Sequence, residues 1–182
     1  MSSTDSRPIS DKKSLIIKIM AILSIARWYN IFLVTLSLYA IQIFIFENSI
    51  DFLLKEKGIK LHLYVLSVDL IIIAGYLINA FYDFEKDMIN HPEKTYFNRI
   101  VSKNSCLNIY ILCNILGVSM AFLISTKVLI FSISLIVALW IYSHKLRKKV
   151  LFGEISASLL TVSFFLGIAL LNSNFNITLG LF

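Results

Sequence analysis

Five stretches of apolar residues alternate along the chain with more polar segments. They cover residues 28–46, 61–81, 106–126, 128–142 and 150–171. A helix needs about 20 apolar residues to cross a membrane, and the fourth stretch reaches that length by extending into the basic segment that follows it. The pattern therefore predicts an all-α, polytopic bundle of about five transmembrane helices. Residues 172–182 turn from polar to apolar again, and we expect them to be the truncated start of a sixth span.

The composition excludes an ordinary soluble domain. Apolar residues make up 58% of the 182 residues and charged residues only 15%, against about 45–50% and about 25% in an average soluble domain. A soluble fold of this size has too large a surface to bury so high an apolar share. Membrane lipids are therefore the first partner that the sequence predicts.

The basic residues indicate which side of the membrane each segment faces. Thirteen of the 17 lysines and arginines lie before the first span, after the second or after the fourth. Because such charges stay on the cytoplasmic side, we expect the N-terminus and the Asp-rich segment after the second span to be cytoplasmic. Residues 1–26 are then an N-terminal segment with an interfacial helix, and residues 27–171 form the transmembrane domain. Because these charges follow the topology and do not cluster on one element, we expect no nucleic-acid partner.

One amide and two carboxylates form a row where the second span ends. Asn79, Asp83 and Asp87 recur every four residues, which keeps them on one helix face with a drift of about 40° per step. Oxygen ligands of this kind suit Mg²⁺, which takes its remaining ligands from water and substrate phosphates. The row therefore predicts a magnesium–diphosphate site. The spacing alone leaves open an ordinary helix end, where acids and lysines are common.

Cationic side chains that would neutralise a diphosphate lie in the same two cytoplasmic loops. The candidates for contacts with its oxygens are Lys94 and Arg99 after the second span, and Lys145 and Arg147 after the fourth. A site that combines acids, bases and an apolar interior suits a substrate with a phosphorylated head and an apolar tail.

The row resembles the first aspartate-rich motif of the UbiA-type intramembrane prenyltransferases. The family pattern is Asn-Asp-x-x-Asp-x-x-x-Asp, commonly followed by Ile-Asn-x-Pro-Glu-Arg. Asn79, Asp83 and Asp87 match its first part, and the Ile-Asn-His-Pro-Glu-Lys of residues 89–94 matches the second.

Two further regions are similar to the family's signatures, so that the resemblance covers roughly residues 27–171. Arg-Trp-Tyr-Asn at residues 27–30 is similar to Arg-Pro-x-Asn at the start of the first span. Tyr-Ser-His-Lys-Leu-Arg at residues 142–147, followed by Leu-Phe-Gly at 151–153, is similar to Tyr-Ser-x-x-Leu-Lys and Leu-x-Gly.

The resemblance implies a nine-span helical fold around a central cavity and a Mg²⁺-dependent transferase. Such an enzyme moves an isoprenyl group from a prenyl diphosphate to an aromatic or other lipophilic lipid-precursor acceptor. It implies that Asp83 and Asp87 are catalytic, that Asn79 binds the metal with them, and that Asn30 and Tyr142 line the cavity.

The sequence departs from the family pattern at several positions. Ala80 replaces the first aspartate, Trp28 replaces the usual proline, and Lys94 and Arg147 exchange arginine and lysine relative to the family. No aspartate follows Asp87, so the second aspartate-rich motif of the family is missing. We therefore expect the chain to be the front portion of such an enzyme, weakly active or inactive alone, with a complementary C-terminal fragment as a partner.

Two other functions stay open at this point. The chain is either a catalytically silent membrane subunit that binds a ligand or partner, or a small ion transporter that uses Asp69 and Asp83. The transporter hypothesis depends on the depth of Asp69, because an acid well within the membrane usually has a function. The sequence places Asp69 either well within the second span or near its outer end.

Overall fold

The computed structural model describes residues 11–47, 50–90, 101–146 and 150–172, and the regular elements in these ranges are all helical. They are α1 (Asp11–Ile25), α2 (Trp28–Ile41), a π-helical turn (Gln42–Glu47), a 3₁₀ helix (Asp51–Leu54), α3 (Glu56–Asn90), α4 (Lys103–Ile124), α5 (Thr126–His144) and α6 (Val150–Asn172). The region expected to begin a sixth span lies outside the described residues.

Five helices are long and apolar enough to cross a membrane. Their apolar parts are Trp28–Phe46, Gly58–Phe84, Lys103–Ile124, Thr126–His144 and Gly153–Asn172. The expected all-α, multi-pass membrane bundle is thus confirmed. Many large apolar side chains on these helices are exposed, as expected for surfaces that face lipid rather than water.

The second span, α3, is the central helix of the bundle. Of its apolar part 61% is buried, against 11–22% in the other four spans. Hydrogen bonds tie it to its neighbours: the Tyr64 hydroxyl donates to the Phe164 carbonyl of α6 over 2.6 Å, and the Ser67 hydroxyl donates to the Gly117 carbonyl of α4 over 2.8 Å. Glycine at position 117 lets α3 and α4 approach closely, because a Cβ there would lie 3.2 Å from the Ser67 carbonyl oxygen.

Polar side chains mark the ends of the spans. Ser125 has an extended backbone between α4 and α5, and its hydroxyl accepts a hydrogen bond from the Val128 amide over 3.3 Å. The tight turn between α4 and α5 is therefore at this capping serine. Ser102 caps α4 in the same way by accepting from the Ser105 amide over 3.1 Å.

The first and last described spans are joined by a reciprocal amide pair. The Gln42 amide donates to Asn172 Oδ1 over 3.1 Å, and the Asn172 amide donates to Gln42 Oε1 over 2.8 Å. Two amides that satisfy each other are a favourable arrangement within a membrane, where no water replaces a missing partner.

Candidate active site at the aspartate end

The amide and carboxylate row lies on one uninterrupted helix. Because α3 continues to Asn90, Asn79 and Asp83 are one helical turn apart on the same face. Both residues are half-buried. Asp87 lies on the same helix, but its side chain is outside the described part.

Asn79 carries the most informative atom of this row. Its Oδ1 is buried and has no hydrogen-bond partner among the described residues. An unsatisfied buried acceptor costs free energy, and a bound cation would remove that cost. An amide oxygen beside carboxylate oxygens is the donor set that a hard cation such as Mg²⁺ prefers. The residues that are described therefore fit a divalent metal.

The described side chains alone do not complete a metal site. Within the part of the chain that the structure describes, no three histidine, cysteine, aspartate or glutamate residues group together to hold a metal. A metal held by Asn79 and Asp83 would need further ligands, which Asp87, a diphosphate, water or other carboxylates could supply.

The ends of α3 and α5 meet beside Asp83. The rings of Tyr82 and His144 have their centroids 5.3 Å apart, and His144 stacks on Trp140 at 5.6 Å with an interplanar angle of 1°. Lys145 follows His144 directly and is exposed. We call this end of the bundle, marked by Asp83, Lys103 and His144, the aspartate end.

Helix α4 places a cation at the aspartate end. The Lys103 ammonium lies 5.0 Å from the centroid of the Phe81 ring, which is two residues before Asp83. This cation–π contact orients the side chain towards α3. Sequence reasoning counted Lys103 only for membrane orientation, because nothing in the pattern shows that the start of α4 lies against the end of α3.

Helix α2 brings a second cation and an amide. The Asn30 side-chain amide donates to the Tyr76 hydroxyl over 2.9 Å, and the Arg27 guanidinium lies 5.6 Å from the centroid of the same ring. Arg27 has φ 51°, a left-handed conformation that is uncommon for a residue other than glycine. Such backbone geometry is concentrated at functional sites. Arg27 was missed as a site residue, although the motif around Asn30 contained it.

The structure brings together only part of the predicted site. Two helix contacts gather four of the predicted residues. Helix α2 contacts α3 through Asn30 and Tyr76, and α5 contacts α3 through His144 and Tyr82. These contacts bring together Asn30, Asn79, Asp83 and Lys145. Tyr142 is half-buried on α5, two residues before His144. The other predicted diphosphate contacts, Lys94, Arg99 and Arg147, lie outside the described residues.

Comparison with known proteins identifies the family. The sequence model described as the UbiA prenyltransferase family matches residues 54–181. The chain belongs to the UbiA prenyltransferase family. It is therefore an integral, multi-pass membrane protein of a prenyltransferase family, whose members generally use a divalent metal.

The UbiA relatives include archaeal lipid enzymes. A digeranylgeranylglyceryl phosphate synthase of Saccharolobus solfataricus is 30% identical over 131 residues, which cover 71% of this chain and 46% of the relative. A protein of the same name from Methanospirillum hungatei is 35% identical over 94 residues, covering 51% of this chain and 34% of the relative. The chain thus spans about half the length, or less, of the curated relatives it matches.

A solved structure shares the fold of this chain. It comes from work on digeranylgeranylglyceryl phosphate synthase in membranes and has a TM-score of 0.69 at 22% identity. The match covers 86% of this chain and 54% of that one. At this identity the likeness shows the fold alone.

Proposed function

We propose that this chain is the diphosphate-binding portion of a membrane prenyltransferase of isoprenoid lipid synthesis. The observation that carries the proposal is the buried, unpartnered Oδ1 of Asn79, one turn from Asp83 on a membrane helix of this family. The names of the relatives favour a geranylgeranyl group as the isoprenyl unit and a glyceryl phosphate that already carries one such group as the acceptor.

In the proposed reaction the acceptor hydroxyl oxygen forms a bond to C1 of the isoprenyl group. The bond between C1 and the diphosphate oxygen breaks, and the diphosphate leaves with the bonding electron pair. The hydroxyl proton is released. When bound, Mg²⁺ supplies positive charge that stabilises the leaving diphosphate.

The chain's own residues have distinct tasks in this reaction. Asn79, Asp83 and Asp87 offer oxygen ligands from one helix face and so fix the metal relative to α3. Arg27, Lys103 and Lys145 lie at the aspartate end. In the sequence, Lys94 and Arg99 follow α3, and Arg147 follows α5. These cations stabilise negative charge on the diphosphate.

Aromatic side chains limit access of water to the reacting carbon. Three ring contacts lie at the aspartate end: Phe81 with Tyr82 at 5.6 Å, Tyr82 with His144 at 5.3 Å, and His144 with Trp140 at 5.6 Å between centroids. Exclusion of water protects an electrophilic allylic carbon from hydrolysis. Asn30 and Tyr142 are proposed to line the cavity that holds the isoprenyl group.

A second set of carboxylates is proposed to complete the site. The sequence has no aspartate after Asp87, and the described side chains do not form a full ligand set. We propose that a complementary segment or partner chain supplies the missing ligands.

The excess of basic residues at the aspartate end supports a cytoplasmic site and a cytoplasmic N-terminus.

A reconstituted transfer assay tests this function. The chain is co-expressed with the part of the Saccharolobus relative that it does not match, and the membranes receive Mg²⁺, geranylgeranyl diphosphate and geranylgeranylglyceryl phosphate. We expect ether product that is lost with Asp83→Ala and retained with Glu154→Ala, an exposed acid at the start of α6. Ligand binding without any transfer would contradict the enzyme and favour a silent binding subunit.

A further inference from the structure

A carboxyl group lies in the middle of the membrane-spanning part of α3. The span Gly58–Phe84 places Asp69 about 16 Å along the helix from Gly58 and about 21 Å from Asp83. The sequence left its depth open, and the bounds of α3 place it well within the span. An ionisable side chain at such a depth is costly and usually has a function.

Thr35 of α2 is the hydrogen-bond partner of this acid. The Thr35 hydroxyl oxygen lies 2.9 Å from each carboxyl oxygen of Asp69 and 2.9 Å from the Ile31 carbonyl oxygen of its own helix. Ser37, two residues further along α2, donates to the Leu33 carbonyl of its own helix over 2.8 Å. The contact between Thr35 and Asp69 is therefore a specific link between helices.

This link is the central one of three along the same interface. Asn30 pairs with Tyr76 at 2.9 Å on one side of it, and Tyr39 pairs with His62 at 2.7 Å on the other. His62, Asp69 and Tyr76 recur every seven residues of α3, so they share one face of that helix. The three pairs fix the antiparallel register of α2 against α3.

Most apolar side chains of α2 are either exposed or only partly buried against the core. Only 11% of its span is buried, and Leu38 is its one buried residue within Trp28–Ile41. Within lipid, apolar contact gives little drive to hold a helix at one height, whereas hydrogen bonds between side chains do. A slide of one turn, about 5.4 Å, would separate Asp69 from Thr35 and leave a carboxyl group facing hydrocarbon.

We propose that Asp69, acting through Thr35, is a positioning residue for the diphosphate site. It fixes the register of α2, and α2 in turn holds Asn30 on Tyr76 and Arg27 at the aspartate end. The inference rests on the proposed function for its consequence at the site, but the register itself is independent of that function.

Spin-label distances measure the register directly. Nitroxide labels are placed at Phe32→Cys and Ile59→Cys, both exposed positions, in a chain whose Cys106 and Cys113 are replaced by alanine. We expect one narrow distance distribution in the parent chain and in the conservative variants Thr35→Ser and Asp69→Asn. Thr35→Val and Asp69→Leu should broaden the distribution or shift it by about 5 Å, which is one helical turn.

A binding measurement links the register to the site. Mg²⁺-dependent affinity for inorganic diphosphate should fall about tenfold in Thr35→Val, as when an outer partner of a metal site is removed. Ser37→Val, the matched control, should change neither the distance nor the affinity. If Asp69→Leu does not fold, the spin-label distance and the diphosphate affinity are both tested with Thr35→Val.

The outcomes separate the two proposals. An unchanged distance in Thr35→Val overturns the inference, and so does a changed distance with unchanged diphosphate affinity. A parent chain that does not bind diphosphate contradicts the proposed function and removes the role of Asp69 at the site, while the distances still show whether Asp69 fixes the register.

Discussion

Asn30 donates a hydrogen bond to the Tyr76 hydroxyl over 2.9 Å and so joins the start of α2 to α3, one turn before Ala80. The same Tyr76 ring receives the Arg27 guanidinium at 5.6 Å. One side chain of the central helix thus holds both an amide and a cation at the aspartate end. This relationship connects the Arg-Trp-Tyr-Asn segment to the aspartate row, which lies about fifty residues further along the sequence.

Tyr76→Phe should separate these two contacts. The variant keeps the ring under Arg27 and removes the hydroxyl that accepts from Asn30. We expect a loss in unfolding free energy of about 0.6 kcal/mol, and at most about 1.7 kcal/mol, as for other side-chain hydrogen bonds between membrane helices. Denaturant titration in mixed micelles measures it. Tyr29→Phe, at a tyrosine that is 52% exposed, is the control, and an equal effect there would refute a specific role for the Tyr76 hydroxyl.

Lys103→Gln should weaken the binding of diphosphate. The Lys103 ammonium lies at the aspartate end, and loss of one partly exposed charge should lower the affinity about threefold. The effect should shrink at high salt because exposed charges are screened. Lys127→Gln removes the same charge from the opposite end of the bundle, where α5 begins. Binding titrations at two salt concentrations test the difference, and equal effects of both variants would contradict the site's position.

Gly167→Ala should destabilise the bundle. A Cβ at Gly167 would overlap the Tyr64 hydroxyl, which is buried and donates to the Phe164 carbonyl. Overpacking of this kind costs about 1–3 kcal/mol, which a lower melting temperature in detergent would reveal. Gly75→Ala is the matched control, because its Cβ would meet only the flexible end of Leu139 at 3.3 Å. A melting temperature that falls more in Gly75→Ala than in Gly167→Ala would be inconsistent with the packing of α3 against α6.

The local pattern of the sequence was sufficient for the membrane fold and for the aspartate row. An apolar stretch of about 20 residues that crosses a bilayer forms a helix, because only a helix satisfies all its backbone hydrogen bonds within one segment. The row at Asn79 and Asp83 depends only on helical spacing within α3, so it too is a local property. The family resemblance rested on such local motifs, and the family match over residues 54–181 confirms it.

The arrangement of the helices was not predictable from that pattern. In a membrane, side chains that face lipid and side chains that face another helix are equally apolar, so hydropathy gives no sign that α3 is the central helix. The partners Thr35 with Asp69, and Gln42 with Asn172, join residues far apart in sequence. For the same reason Arg27 and Lys103 were not recognised as residues of the aspartate end.

The most direct test of the account is whether Asp83 mediates Mg²⁺-dependent binding of a prenyl diphosphate. The purified chain in micelles is titrated with geranylgeranyl diphosphate, with and without Mg²⁺, and thermal stability reports binding. We predict stabilisation only when both are present, with an affinity that falls at least about tenfold in Asp83→Ala and is unchanged in Glu154→Ala. Equal Mg²⁺-dependent stabilisation of the parent chain and of Asp83→Ala would contradict the proposed site.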